Sequence, residues 1–274
     1  MQKLELTPID FSQEKLYTLT DESKESVKNI DKDINIYFVG YDESDTNLDL
    51  AKQYKKANEK INVEAVDANN RPDLVEKYGV DAVRFYMIHE MPFASDGVYT
   101  EDLLIDTINS NLANVLGNLV NRTIGMANKY FSGVIEDSKV VEEVDNDLKN
   151  SILLLNKDIE EDIKKFRIAD SLERIIEAYR RCNKYIDETM PWVLAKDDSK
   201  QERLKTVLYN LVEAIRIITV YLQAYLPETA EKIFTQINTD IKDYDSTLKF
   251  GYYISGTKVN APEVLFKRIE KESN

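Results

Sequence analysis

The spacing of apolar residues changes once along this chain, between about Leu74 and Thr100. Before that point, short apolar runs alternate with polar segments, which is typical of a small α/β arrangement. After it, apolar residues recur three and four positions apart, the pattern of amphipathic helices. Two such series are Ile168, Leu172, Ile175, Ile176, Tyr179 and Ile186, and Leu204, Val207, Leu208, Leu211, Ile215, Ile218 and Leu222. We therefore predict an α+β protein overall, a small α/β domain followed by an all-α bundle of about four or five helices.

The α/β prediction rests on a strand–helix–strand order near the start of the chain. Ile34–Val39 is β-branched and aromatic, and residues 61–65 alternate apolar with polar side chains, so both are predicted strands. Residues 47–59 between them have the composition of a polar amphipathic helix. Thr20 can cap a further short helix, since its hydroxyl can accept from a free backbone N–H. This order predicts a right-handed βαβ unit.

The bundle is predicted to open with an unusually long helix. Thr100 is a suitable N-cap, and Glu101 and Asp102 follow at the positive end of the helix, where acidic side chains are favourable. The helix is predicted to run to about Phe131, where Gly133 would end it.

The acidic composition restricts the partners that this chain can have. It has 36 Lys and Arg against 50 Asp and Glu over 274 residues, which gives a net charge of −14. Non-specific binding to nucleic acid depends on clustered cations that contact phosphates. The charge therefore excludes that mode of binding, and any RNA recognition must be local and specific.

The scarcity of Cys, His and Gly excludes several kinds of site. Cys182 and His89 are the only residues of their types, too few for a disulfide or for a His/Cys zinc site. The eight glycines form neither type of phosphate-binding loop. We expect His89 to be a packed or surface residue, because no nucleophile motif accompanies it. We expect Cys182 to be inert core, because it lies among apolar helix positions.

No segment of the sequence has the character of a membrane span. The longest apolar run, residues 215–226, contains Arg216 and Gln223 and is shorter than the ~20 residues that a span requires. The first residues contain no apolar stretch long enough for a signal peptide. We expect a cytoplasmic protein with no membrane partner.

The predicted helix at 100–131 is rich in asparagine, a poor helix former. A polar stripe is predicted along one side of it, comprising Asn111, Asn114, Asn118, Arg122 and Gly125. Amide and guanidinium groups together offer donors and an acceptor in planar geometry, which suits the edge of an unpaired base. The alternative is that these side chains bind neighbouring helices inside the bundle.

Trp192 is the single tryptophan and follows Pro191 at the predicted end of a helix. An indole in that position can stack on a base, which is worth ~1–3 kcal/mol per base. The alternative is that the ring closes the end of the bundle, since large aromatic side chains are mostly buried.

Several longer motifs resemble the region of methionyl-tRNA synthetases that follows the catalytic core. They are F-A-S-D-G (Phe93–Gly97), G-N-L-x-N-R within 117–122, and N-K-Y-I-D-x-x-x-P-W within 183–192, and the resemblance ends with residues 248–270. It implies a stem-contact segment at 75–99 and a helical anticodon-binding domain with a C-terminal tail at 100–274. It also implies that Asn118, Arg122 and Trp192 recognise the anticodon loop of a methionine tRNA, CAU, and notably its first base, C.

The sequence departs from that family in one important respect. Class I synthetases activate their amino acid with HIGH and KMSKS loops and ATP, and neither loop occurs here. We therefore predict no catalytic residues and no cofactor in this chain, and we expect no autonomous ligase activity. A catalytic domain could act only in trans.

Residues 1–74 resemble a different family, the extracytoplasmic domain of gliding-motility-type ABC transporter auxiliary proteins. The resemblance rests on L-T-D-E-S-K-x-x-x-K-N and on the strand pattern, and it implies a thioredoxin-like fold without a C-x-x-C pair. The predicted domains are then 1–74, 75–99 and 100–274. The alternative function is that of an accessory protein whose α/β domain binds transporter proteins.

The C-terminal tail carries apolar residues that require a partner, namely Leu265, Phe266 and Ile269. Exposing such side chains forgoes ~1.5–3 kcal/mol apiece relative to burial. We expect the tail to lie against the bundle, and the N-terminal domain to be loosely attached.

Overall fold

The computed structural model describes residues 19–39, 46–66, 72–90 and 99–271. The chain divides into two compact units, Met1–Lys77 and Tyr78–Asn274. The motif Phe93–Gly97 lies outside the described residues, as do parts of the predicted segments 1–74 and 75–99. The three predicted domain boundaries therefore stay predictions.

The N-terminal unit contains the predicted strand–helix–strand order. Its elements are α1 (Asp21–Lys28), β1 (Ile34–Val39), α2 (Thr46–Ala57) and β2 (Ile61–Val66), with α3 (Pro72–Tyr78) at the boundary. β1 and β2 pair in parallel, with Ile34 opposite Ile61. Thr20 caps α1, since its hydroxyl accepts from the backbone N–H of Ser23 at 3.1 Å. The predicted strand–helix–strand order is confirmed, with parallel pairing, while the right-handed crossover and the thioredoxin-like assignment stay predictions.

The second unit is helical. Its helices are α4 (Val80–Glu90), α5 (Glu101–Thr107), a π-helical segment (Ile108–Gly117), α6 (Asn118–Phe131), α7 (Glu143–Lys164), α8 (Ile168–Thr189), α9 (Pro191–Leu194), α10 (Gln201–Leu222) and α11 (Pro227–Ile237). Two short strands, β3 (Val134–Ile135) and β4 (Thr257–Lys258), pair antiparallel. Among the described residues, no helix is long and apolar enough to cross a membrane.

α10 is the central helix of this unit. Its sequence predicts a single apolar stripe, yet every residue from Thr206 to Leu222 is buried. The reason is that α6, α7, α8 and α11 all pack against it. A helix enclosed on all sides buries its polar residues as well, and these need internal partners.

Two buried ion pairs satisfy the buried charged residues of α10. Arg216 is fully buried and binds both carboxylate oxygens of Glu213, at 2.7 and 3.0 Å. Glu213 also accepts from the backbone N–H groups of residues 251–253, so the pair fastens the chain after α11 to the core. Near the other end of the helix, Arg203 donates two hydrogen bonds of 2.8 Å to Asp145 of α7. Both pairs are bidentate, the geometry in which a buried charge is best compensated.

The C-terminal tail lies against the helical unit, as expected from its apolar residues. The side-chain amide of Asn109 exchanges two hydrogen bonds of 2.9 Å with the backbone of Ile269. The backbone of Phe266 lies beside Gly117. A Cβ placed on Gly117 would lie 3.8 Å from the backbone nitrogen of Phe266. The tail therefore runs along the π-helical segment, up to the start of α6.

Candidate nucleic-acid interface

The predicted long helix is present, and it carries Asn118 and Arg122. Thr100 caps it through its hydroxyl, and α5, the π-helical segment and α6 follow one another up to Phe131, with left-handed backbone at Ser132 and Gly133. The difference from the prediction lies in the middle, where the helix is π-helical. At its end the N–H of Asn118 donates to the carbonyl of Ala113, five residues back.

The π-helical segment breaks the predicted asparagine stripe. Asn111 is buried, with 7% of its surface exposed, and its amide oxygen accepts from Arg180 of α8 at 2.6 Å. Asn114 and Asn118 are exposed. A π-helix has more residues per turn than an α-helix, so side chains spaced for one α-helical face no longer share a face. The inclusion of Asn111 in a base-reading stripe is therefore wrong, and its role is the structural alternative.

Asn118 and Arg122 lie one turn apart at the start of α6. The amide of Asn118 is exposed and makes no hydrogen bond within residues 99–271, so its donors and acceptor are available. The Arg122 guanidinium lies 4.0 Å from a carboxylate oxygen of Asp187, in the last turns of α8. Its side chain is 35% exposed, against 71% for Asp187. A half-exposed pair of this kind is weak, and another anion or base edge can replace it.

Trp192 lies directly after the helix that carries Asp187. α8 ends at Thr189 and is capped by Met190, which is left-handed with φ of 44°, and Pro191 begins the short helix α9. Trp192 is 40% exposed, and the neighbouring Met190 and Val193 are each 45% exposed. A residue with this exposure is not fully buried as a plug at the end of the bundle, and part of its surface is accessible to a base.

The α8 helix links these residues, since it carries Asp187 next to Arg122 and ends shortly before Trp192. It is held on the π-helical segment by Asn183, whose amide donates to the carbonyl of Val115 at 3.2 Å, and by Arg180 through Asn111. This packing fixes the end of α8 beside the start of α6. Within residues 99–271, however, no hydrogen bond or ion pair joins Asn118, Arg122 and Trp192 to one another. They share a neighbourhood and do not form a prebuilt network.

Sequence reasoning missed a charged network behind this surface. Arg180 also donates to Glu173 at 2.6 Å, and Glu173 in turn binds the ring of His89 at 2.9 Å. Burial raises the pKa of Glu173, but hydrogen bonds from Arg180 and His89 outweigh it and hold that pKa below its ordinary value. His89 stacks on Phe85, with ring centroids 5.1 Å apart. The network is thus a link between α4 and α8, and of the two positions expected for His89, packed or surface, the structure shows the packed one.

Asp187 was also missed as a site residue. It is part of the motif at 183–192, but nothing in that motif's spacing marks it as a neighbour of Arg122.

Cys182 is fully buried, and burial raises the pKa of its thiol to about 12, so the cysteine is part of the core as expected. Within the described residues, no three His, Cys, Asp or Glu side chains are grouped closely enough to hold a metal ion.

Two family models match this chain. Residues 62–124 match the model described as class I tRNA synthetases (M), and residues 135–274 match the anticodon-binding domain of methionyl-tRNA ligase. The second match covers more than half of the chain and includes Trp192, while the first includes Asn118 and Arg122. The chain belongs to the methionyl-tRNA ligase anticodon-binding family.

Individual relatives agree with this family assignment. The chain is 49% identical over 197 residues to the methionine–tRNA ligase of Clostridium acetobutylicum, which is 72% of this chain and 31% of that one. Its identity to the ligase of Bacillus subtilis is 45% over 203 residues, 73% of this chain and 30% of that one. The apo crystal structure of Mycobacterium tuberculosis methionyl-tRNA synthetase superposes with a TM-score of 0.69 at 26% identity, over 80% of this chain and 46% of that one. The chain therefore spans about a third of the length of these curated relatives.

These comparisons give no support to the resemblance of residues 1–74 to transporter auxiliary proteins. The synthetase match begins at residue 62, within the segment that was assigned to the transporter-like domain. The region of synthetase character therefore starts upstream of Leu74.

Proposed function

We propose that this chain is the tRNA-recognising part of a methionine–tRNA ligase, and that it binds the CAU anticodon loop of a methionine tRNA. The observation that carries the proposal is the placement of the exposed Trp192 immediately after the helix whose last turns contact Arg122. A stacking surface and a forked hydrogen-bond donor near each other are what recognition of an unstacked base requires.

Each of the three residues has a role that its environment permits. The free amide of Asn118 and the guanidinium of Arg122 would hydrogen bond the edge of the anticodon's first base, C. The exposed face of Trp192 would stack on a base of the loop. Because the net charge is −14, few phosphate contacts are available. We therefore expect weak binding that still distinguishes the CAU loop from other loops.

We also propose that the ligation chemistry, with its use of ATP, is supplied by residues outside this sequence. The basis is the sequence itself, which contains neither HIGH nor KMSKS. A catalytic domain would then have to be provided in trans or elsewhere in a longer polypeptide.

The direct test is a binding measurement with synthetic anticodon stem-loops that carry CAU or UAU. Arg122→Ala and Trp192→Ala should each weaken CAU binding by ~1–3 kcal/mol, the value of a bidentate base contact or a stacked base. Arg167→Ala and Phe166→Ala are matched controls, because both residues are exposed at the opposite end of α8. Equal binding of the two loops, or equal losses in variants and controls, would contradict the proposal.

A further inference from the structure

Gly125 lies in the middle of α6, where neither backbone conformation nor packing requires a glycine. Its backbone is ordinary right-handed helix, outside the left-handed region that favours glycine. Beyond its own stretch of helix, a Cβ placed on Gly125 would lie within 4 Å of no atom of the described residues. Glycine inside a helix lowers stability relative to alanine, so its presence here has a cost that the fold alone does not explain.

A hinge is another common reason for a glycine inside a helix, but α6 is held firmly around Gly125. Ile124 and Ala127 on either side are fully buried. The amide of Asn128 donates to the carbonyls of Ile124 and Asn260, at 3.0 and 3.1 Å, and so ties this part of the helix to the C-terminal tail. The remaining use of a glycine is to let a binding partner approach the helix backbone closely.

Gly125 lies on the face of α6 that carries the residues proposed to read a base. Asn118, Arg122, Gly125 and Lys129 follow one another at intervals of four, three and four residues, the spacing of a single helix face. Lys129 is exposed and makes no ion pair within residues 99–271, and its ammonium lies 5.3 Å from the centroid of the Tyr130 ring. This face therefore presents base-edge groups, then a position without a side chain, then an available cation.

We propose that the sugar–phosphate backbone of the bound RNA loop crosses α6 at Gly125, and that Lys129 binds one of its phosphates. This inference rests on the proposed function. The missing side chain lets the RNA backbone lie against the helix, and the phosphate supplies the anion that Lys129 lacks within the described residues. A phosphate contact fixes the position of the loop without reading its sequence, which leaves the base edge to Asn118 and Arg122.

The first test enlarges the side chain at residue 125 and measures binding of the CAU and UAU stem-loops. Gly125→Ala should weaken binding of both loops about fivefold or more, and Gly125→Leu more strongly, because each side chain fills space that the RNA backbone occupies. Gly125→Ala should at the same time raise the melting temperature of the helical unit by about 2–4 °C, since alanine favours helix. Weaker binding by a more stable protein does not result from unfolding. Ser151→Ala is the matched control, because it favours helix at an exposed position of α7 and should leave binding unchanged.

The second test removes the cation. Lys129→Gln should weaken binding of both loops by a similar factor, and the slope of log affinity against log salt should become shallower by about 0.7–0.9, the effect of one phosphate contact. Lys157→Gln removes an exposed lysine of α7 and should keep the slope of the wild type. Neither Lys129→Gln nor Gly125→Ala should change the ratio of CAU to UAU affinity, whereas Arg122→Ala should reduce it.

The outcomes separate this inference from the proposed function. Selective binding of CAU by the wild type, together with full binding by Gly125→Leu or an unchanged salt slope in Lys129→Gln, would overturn the inference and leave the proposed function standing. Equal binding of the two loops by the wild type would contradict the proposed function alone, because the variants at 125 and 129 still report the path of the RNA backbone. Binding of neither loop would overturn both.

Discussion

The carboxylate of Asp187 lies 4.0 Å from the guanidinium of Arg122 and is twice as exposed. If Arg122 reads a base as proposed, Asp187 would compete with the RNA for it. Asp187→Asn should therefore tighten binding of the CAU stem-loop about two- to fivefold, the range expected for an exposed ion pair. Titration of the labelled stem-loop at fixed salt measures the change.

α8 supplies a matched control for this prediction. Asp170 lies 3.9 Å from Arg167 on the same helix, at the end away from Trp192. Asp170→Asn should leave RNA binding unchanged. Weaker binding by Asp187→Asn would show instead that the carboxylate orients Arg122.

The purified chain should not catalyse methionine-dependent exchange between ATP and pyrophosphate. Activation of an amino acid requires a site for the ATP phosphates, and the sequence has neither the synthetase loops nor a glycine-rich phosphate loop. Full-length Bacillus subtilis methionine–tRNA ligase serves as the positive control. Exchange above the blank that persists through repurification would show that the chain activates methionine by itself.

Acid should destabilise the helical unit through Asp145. Burial raises the pKa of this carboxyl, but hydrogen bonds from Arg203, Tyr185 and the Glu142 N–H outweigh burial, so its folded pKa lies below the ordinary value. Its stabilising contribution is complete above the unfolded pKa of about 3.9 and is lost as pH falls through the folded pKa. Urea unfolding across that pH range should show a steeper loss of stability for the wild type than for Asp145→Asn.

The same aspartate should matter at neutral pH. Asp145→Asn removes one partner of the buried Arg203 and should cost about 3–5 kcal/mol. Asp147→Asn, an exposed neighbour on α7, should change the free energy of unfolding by no more than about 0.5 kcal/mol. Similar effects of the two substitutions would mean that Arg203 finds another partner.

The tail should detach when Asn109 is truncated. Asn109→Ala removes both hydrogen bonds to the backbone of Ile269, each worth about 0.5–1.5 kcal/mol. Hydrogen exchange at the Ile269 amide should accelerate, while exchange within α10 stays as in the wild type. The control is Asn150→Ala, at an exposed position of α7. Unchanged exchange at Ile269 would show that apolar contacts alone hold the tail.

Local signals in the sequence predicted much of this architecture. Thr100 and Gly133 mark the ends of the long helix because capping chemistry depends on neighbouring residues only. The strand Ile34–Val39 was predicted at its observed bounds for a similar reason, since β-branched residues are grouped there.

Features that depend on distant residues could not be predicted in the same way. The partner of Glu213 is a turn about 40 positions away in sequence, and the partner of Asn111 is Arg180. The neighbours Arg122 and Asp187 come together only because α8 packs on the π-helical segment. The motifs selected the residues of the candidate interface, but the packing decided which of the asparagines face solvent.

The π-helical segment has a consequence for protein engineering. Asn111 and Asn118 are seven residues apart, a spacing that places two side chains on one face of an ordinary α-helix, yet one is buried and the other exposed. Transplanting residues 101–131 onto an idealised straight helix would therefore rotate the Asn118–Arg122 surface away from its present direction. A designer who wants to graft this surface has to transfer the wide turns of residues 108–117 together with it.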